Sequence, residues 1–216
     1  MHAVKRSPEP PGLSKVRDKH TPRWVTYYNH GRGKKPSDSK WRDFHKAVSE
    51  MFFGLCAYCE ENDKGEVDHF RPKSRFPDQV YRWDNWVLAC HTCNNKKSDR
   101  WPPGGYIDPC AKSRSAQPES YFTFDTVTGE LLPKPGLTAA RRRKAVNMIR
   151  DLGLNAWHHL GVRIAQLRLV EQALAGRAGD DPFREGFLKL VTSRETTLSS
   201  ITRAWLNDQG HVSDGG

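Results

Sequence analysis

Two quartets, Cys56-Ala57-Tyr58-Cys59 and Cys90-His91-Thr92-Cys93, enclose Glu66-Val67-Asp68-His69-Phe70 and are followed at once by Asn94-Asn95-Lys96-Lys97. Paired cysteines at this spacing offer four thiolates, the donor set of a closed tetrahedral zinc site with no position left for water, so Cys56, Cys59, Cys90 and Cys93 read as ligands of a structural Zn²⁺. Free or redox-active thiols are the competing reading. The 30 residues between Cys59 and Cys90 exceed the gap of an ordinary zinc ribbon, so something is built between the knuckles. A unit of about forty residues buries too little apolar surface to be stable alone, and a metal staple is one of the few remedies. The fifth cysteine, Cys110, is left over.

Between and behind the knuckles stand Asp68-His69-Phe70-Arg71-Pro72-Lys73-Ser74, then Asp84-Asn85-Trp86-Val87-Leu88, then Cys93-Asn94. Asp-His, a central Asn followed by a hydrophobic pair, and a final Asn directly after the second knuckle occur in order within 42 residues. A lone Asp-His would carry nothing; the ordered set is specific. In this pattern the chain resembles the HNH endonuclease family, which implies hydrolysis of nucleic-acid phosphodiester bonds with one divalent cation. His69 is the natural general base, because an unperturbed imidazole titrates in the working range. Asp68 and Asn94 are hard oxygen donors suited to catalytic Mg²⁺ or Mn²⁺, too few to saturate it. The resemblance gives Asn85 the role of orienting the loop that holds His69. Arg71, Lys73, Lys96 and Lys97 are candidate phosphate contacts. His91, inside the second knuckle, is an alternative ligand, whereas His45, His158 and His159 lie on predicted helices and read as surface or packing residues. Adjacent residues of a strand point to opposite faces, so Asp68 and His69 can share a phosphate only where the strand is ending, which Pro72 suggests.

The wider pattern, with Cys-Ala-Tyr-Cys-Glu, Asp-His-Phe-Arg-Pro-Lys-Ser, Tyr81-Arg82-Trp83-Asp84-Asn85 and Asp108-Pro109, is similar to the PtuB family, the HNH components of Septu and retron-associated anti-phage systems. That resemblance implies an ABC or SMC-like ATPase (PtuA-type) as partner. Asp68, preceded by Val67, stands directly before the His where Glu is commoner in that subgroup.

Outward from the knuckles, Trp41, Phe44, Val48, Met51, Phe52 and Leu55 recur at helical spacing and predict a helix capped by Ser37 or Asp38 and closed near Phe53-Gly54. Glu66 to Phe70 reads as a strand of a β-hairpin leading to a short helix after Cys93, opened by Asn94. Tyr121 to Phe124 and Glu130 to Leu132 flank Thr128-Gly129 as a second hairpin. Three helices are expected beyond it, over 138–152, 154–175 and 182–206, the first ended by Gly153. Prolines 8, 10 and 11 predict an extended N-terminal arm. The expected organisation is therefore an arm over 1–40, the nuclease module over 41–109, a connection over 110–136, a helical region over 137–208 and a flexible tail over 209–216. The fold class is α+β, a mostly α-helical body carrying a zinc-stapled ββα-metal module.

The 216 residues allow one ordinary domain and not two large cores. With 28% charged residues and no apolar run near the roughly 18 residues of a membrane span, a membrane protein is excluded at this level. No secretory signal is legible, so a cytoplasmic location is expected. A formal charge of +10 suits a DNA or RNA partner, although charge alone does not distinguish such a surface from a solvated basic face. The same ambiguity attends Arg141-Arg142-Arg143-Lys144. Two other functions compete with the nuclease: a non-catalytic zinc-stapled module that binds nucleic acid or protein, and a stand-alone modification-dependent restriction enzyme.

Overall fold

A computed structural model describes residues 1–37, 39–176 and 181–211. Strand β1 (Glu66–His69) pairs antiparallel with β2 (Trp86–Ala89), from Glu66 opposite Ala89 to His69 opposite Trp86. Helix α3 (His91–Lys97) follows directly. All four residues of β2 are buried, as its unbroken apolar run requires, since α2 (His45–Met51) packs against it as well as β1. The expected helix from Trp41 is in two pieces, a 3₁₀ turn at Lys40–Phe44 and then α2, and no side chain caps the turn. It ends as predicted, with Phe53 and Gly54 both at positive φ and the Gly54 N–H on the Ser49 carbonyl at 2.9 Å. Asp38, the alternative cap, lies outside the described residues.

The second hairpin forms β3 (Phe122–Phe124) and β4 (Leu131–Pro133), Phe122 opposite Pro133. Gly129 is needed at its turn: φ is 77°, and a Cβ there would meet the Leu160 carbonyl at 3.3 Å. Helix α4 (Ala139–Leu152) starts at Thr138, whose hydroxyl accepts the Arg141 N–H, and stops at Gly153 in the left-handed conformation. Helix α5 (Trp157–Leu174) follows.

Two expectations are corrected. The N-terminal arm is not extended throughout: Leu13–His30 is an 18-residue helix, α1. The prolines precede it, and Leu13, Val16, His20, Trp24 and Tyr28 recur at helical spacing despite Pro22. Trp24 is 2% exposed and faces Trp41, and α1 packs on a second 3₁₀ turn at Pro77–Gln79, so it is part of the body. The last predicted helix is two, α6 (Pro182–Thr192) and α7 (Ser199–Asp208). Between them Leu198 takes φ 54°, and its N–H and the Thr197 hydroxyl both donate to the Glu60 carbonyl, at 3.3 and 2.8 Å. The bend, with the first turn of α7, lies against the first knuckle. It also packs Val191 and Leu206 with Val170 and Leu174 of α5.

The boundary placed at 137 is crossed by the core. Ala145, Met148, Leu152 and Leu154 belong to the same buried cluster as the four cysteines, Trp86 and Leu88. Each fully buried Met or Leu side chain among these contributes roughly 1.5–3 kcal/mol, so α4 and the zinc module stabilise one another. The flexible tail expected beyond 209 falls mostly outside the described residues. Among the described residues no helix is long and apolar enough to cross a membrane.

Candidate active site and zinc centre

The four knuckle cysteines converge, their sulfur atoms all within 4.8 Å of one another and the Cys59 and Cys90 sulfurs 3.8 Å apart. A tetrahedron with Zn–S bonds of about 2.3 Å has edges of about 3.8 Å, so the donor set fits zinc in size as well as in kind. The backbone N–H groups of Tyr58 and Cys93 point to the sulfurs of Cys56 and Cys90. Hydrogen bonds from its three neighbours hold the Cys90 thiol far below its usual range, while the same mutual bonding pushes Cys59 and Cys93 up. Four crowded thiols cannot all ionise without a cation among them. Cys110 stands apart, its thiol pushed up to about 12 by burial.

His159, expected as a surface or packing residue, and Glu61, not singled out in the sequence, lie beside this centre. His159 is buried, with Nε2 4.0 Å from the Cys93 sulfur and Nδ1 on the Glu61 carboxylate. His91 is exposed, paired with Glu66 at 3.2 Å and outside the sulfur cluster.

Asp68, His69 and Asn94 line one cleft of about 1030 Å³, along the open edge of β1. The strand does send Asp68 and His69 to opposite faces, but a two-stranded sheet leaves that edge uncovered, and the whole of Glu66 to His69 borders the cleft. Asp68 turns toward α3, where Lys97 Nζ donates to Oδ1 at 2.8 Å and the Tyr58 hydroxyl to Oδ2 at 2.6 Å. Burial, reinforced by the Asp68 carboxylate, pushes the Tyr58 phenol well above its usual range, so it remains a donor. His69 turns toward the Trp41 ring, 4.8 Å away edge to face, with Trp86 beyond.

Its Nε2 lies 2.9 Å from the Val80 carbonyl. A carbonyl only accepts, so Nε2 carries the proton and Nδ1 keeps its lone pair. Desolvation, helped by the Lys73 ammonium, lowers the imidazole to about 3, which leaves it neutral at physiological pH.

Asn85 is placed behind this arrangement. Its Oδ1 accepts the Arg71 N–H at 2.8 Å and its Nδ2 donates to the carbonyls of Arg71 and Gln79, at 3.0 and 3.2 Å. It thereby ties together the two ends of the loop between β1 and Val80. Asn94 is the fourth residue of α3 and not its first, because Cys90 is the N-cap. Its Nδ2 donates to Glu66 at 2.6 Å, a bond that holds the Glu66 carboxylate below its usual range with His91 assisting.

Lys97 is the clear departure among the basic residues. Expected to meet phosphate, it is 0% exposed and also donates to the His69 carbonyl at 2.7 Å. Four residues after Cys93 on a helix, it shares the buried face of that cysteine. Lys96 is exposed, Lys73 lines the cleft over the Trp41 ring, and Arg71 opens away from it. Glu66, Tyr58 and Trp41 were missed as site residues. Alternation along β1 puts Glu66 on the face of Asp68, and that signal was available; Trp41 comes from a distant part of the chain.

Residues 56–100 match the HNH endonuclease family. Residues 56–100 form an HNH module. Among curated proteins, the Septu protein PtuB of Bacillus thuringiensis is 41% identical over 56 residues, which is 24% of this chain and 22% of that protein. The match thus spans about a fifth of the relative. The HNH module contains both knuckles, β1, β2 and α3, but Tyr28, Lys35, Trp41, Arg42 and His45 of its cleft lie outside it.

Proposed function

We propose that the chain is an endonuclease that hydrolyses nucleic-acid phosphodiester bonds in the cleft of Asp68, His69 and Asn94. The observation that carries this reading is the placement of His69, whose Nε2 is committed to the Val80 carbonyl and whose Nδ1 keeps its lone pair, in one cleft with the oxygen donors of an HNH module.

The oxygen donors suit a hard divalent cation. Asp68 and Asn94 would hold Mg²⁺ or Mn²⁺, and each Asp68 oxygen keeps a lone pair beyond the one facing Lys97 or Tyr58. The bound cation supplies positive charge beside the reacting phosphate. His69 Nδ1 takes the proton of the attacking water, and the Val80 carbonyl favours the imidazolium that forms. Asn85 fixes the loop, so the ring does not have to be ordered during the reaction. Lys97 and Tyr58 hold the Asp68 carboxylate in place, while Lys73 offers charge to the phosphate from the other wall. Lys96 and Arg71 are the more distant candidates for the nucleic-acid backbone.

The likeness to Septu protein PtuB favours a role as the nuclease effector of a cytoplasmic anti-phage complex, with an ABC or SMC-like ATPase as the partner that family implies. The test is incubation of zinc-loaded protein with plasmid, single-stranded DNA and tRNA, with Mg²⁺ or Mn²⁺ and with EDTA, in the presence and absence of any co-purifying ATPase. Cleavage that needs the cation is expected. No cleavage of any substrate under every condition overturns the reading.

A further inference from the structure

A second cleft, of about 1190 Å³, shares no lining residue with the first. The two meet at the loop after β1, where Arg71 lines one and its neighbours Pro72 and Lys73 line the other. The Arg71 backbone is the segment that Asn85 grips on both sides. A ligand touching Arg71 would therefore bear on the loop that follows His69 and supplies the Val80 carbonyl to its ring.

The second cleft holds more cationic groups than its acidic residues engage. Asp84 is committed to Arg82, at 2.9 and 2.7 Å, and Asp108 accepts the Cys110 N–H at 2.8 Å. Arg194 is likewise committed, to Glu119 and the Ala3 carbonyl. Asp108 and Glu195 remain as acids, against Lys5, Arg6, Arg71 and Lys112. Arg6 is the most telling of these. Its Nη1 donates to the carbonyls of Trp83 and Trp86 at 2.6 and 2.9 Å, which anchors the guanidinium at the base of β2. Its Nη2 is buried and has no hydrogen-bond partner among the described residues. A buried donor without an acceptor is costly, and the anchored guanidinium holds a fixed positive charge in the wall of the cleft.

We propose that this cleft is a phosphate-binding site, and that it takes backbone phosphates of the strand whose scissile bond lies in the first cleft. The second half rests on the nuclease reading; the first does not. A volume of about 1190 Å³ exceeds what one phosphate fills and suits a stretch of chain. Lys5 and Lys112 are exposed on its rim and can be reversed without touching the core.

The experiment compares wild type, Lys5→Glu/Lys112→Glu, and Lys189→Glu on α6 as a charge control, with zinc content and melting temperature checked for each. Binding of labelled 6-mer and 20-mer single strands is titrated against salt without added divalent cation. Wild type shows the steeper salt dependence on the 20-mer. The double variant loses about 1.4 from that slope, about 0.7 for each phosphate contact removed, and keeps the 6-mer slope. A second arm records melting in inorganic phosphate and in AMP. If both protect wild type and not the double variant while the 20-mer slope is unchanged, the cleft is a phosphate site for a small phosphorylated molecule and the strand assignment is overturned. If the double variant behaves as Lys189→Glu in both arms, the phosphate site itself is overturned. Slope loss in a protein that cuts nothing would keep the site and remove the nuclease reading.

Discussion

Lys97 Nζ stands 2.8 Å from Asp68 Oδ1 and 2.7 Å from the His69 carbonyl, so one fully buried ammonium ties α3 to the last two residues of β1. The pair is not strong evidence of net stabilisation, because taking both charges out of water offsets most of their attraction. Breaking it is another matter. Lys97→Met leaves the Asp68 carboxylate buried with Tyr58 as its remaining side-chain donor. We expect a loss of about 3–5 kcal/mol in chemical denaturation and failure to cleave. A variant as stable as wild type would show that Asp68 is free to turn into the cleft and stay solvated there.

How much of this was legible depends on the range of the interaction. The Cys-x-x-Cys spacing and the Asp-His strand are local, and they locate the zinc centre and the ββα order. Lys97 was visible as a cation but misplaced: its burial follows from helical spacing to Cys93, yet the phosphate-binding habit of lysine near an active site argued the other way. Trp41 and Tyr28 reach the cleft through tertiary packing of α1 and the 3₁₀ turn, and no spacing in the chain encodes that. The break between α6 and α7 is similar. Residues 193–197, Ser-Arg-Glu-Thr-Thr, favour a helix poorly, but their stop at Leu198 is set by the Glu60 carbonyl across the fold.

The zinc centre should be inseparable from folding. Cys56→Ser or Cys90→Ser is expected to abolish zinc binding and unfold the HNH module, because the cysteines share the main core. Elemental analysis of wild type should find about one zinc per chain, and Cys110→Ser should leave that number unchanged. Folded, zinc-free wild-type protein would contradict the assignment.

Glu60 joins the first knuckle to the N-terminal segment and to the start of α7. Its buried carboxylate accepts from the Ser200 N–H and hydroxyl and lies 2.9 Å from His2 Nδ1. Glu60→Ala strands these groups. The cost should be about 2–4 kcal/mol, with α7 released to limited proteolysis while zinc content is retained. Cleavage sites that stay as in wild type would mean that α7 is held by its apolar face alone.

The acid side of the stability profile carries a signature of His69. Its folded value of about 3 lies below the ordinary imidazole value of 6.5. Below about 6.5 the unfolded chain binds a proton that the native ring refuses, so stability falls as pH drops and this contribution is gone near 3. The slope for one such group is about 1.4 kcal/mol per pH unit. Denaturation of zinc-loaded protein between pH 6.5 and 4.5 should show it, and His69→Ala should remove it; an identical slope in the variant would mean that His69 is not held neutral.

The same substitution separates enzyme from scaffold. His69 is asked to act on a proton in the transition state, so His69→Ala should reduce cleavage by on the order of 10²- to 10⁴-fold while zinc content and nucleic-acid affinity stay nearly unchanged. Asp68→Ala should also inactivate, but with weaker dependence on the base than on the cation, so that excess Mg²⁺ or Mn²⁺ recovers part of its activity and none of that of His69→Ala. Because Asp68 also faces Lys97, Asp68→Asn is the cleaner companion, keeping an acceptor toward that ammonium. Asn94→Ala should resemble it more mildly, since a neutral amide binds a cation less well than a carboxylate. Cleavage at the wild-type rate by His69→Ala would remove the histidine from the mechanism and leave a zinc-stapled binding module as the better account.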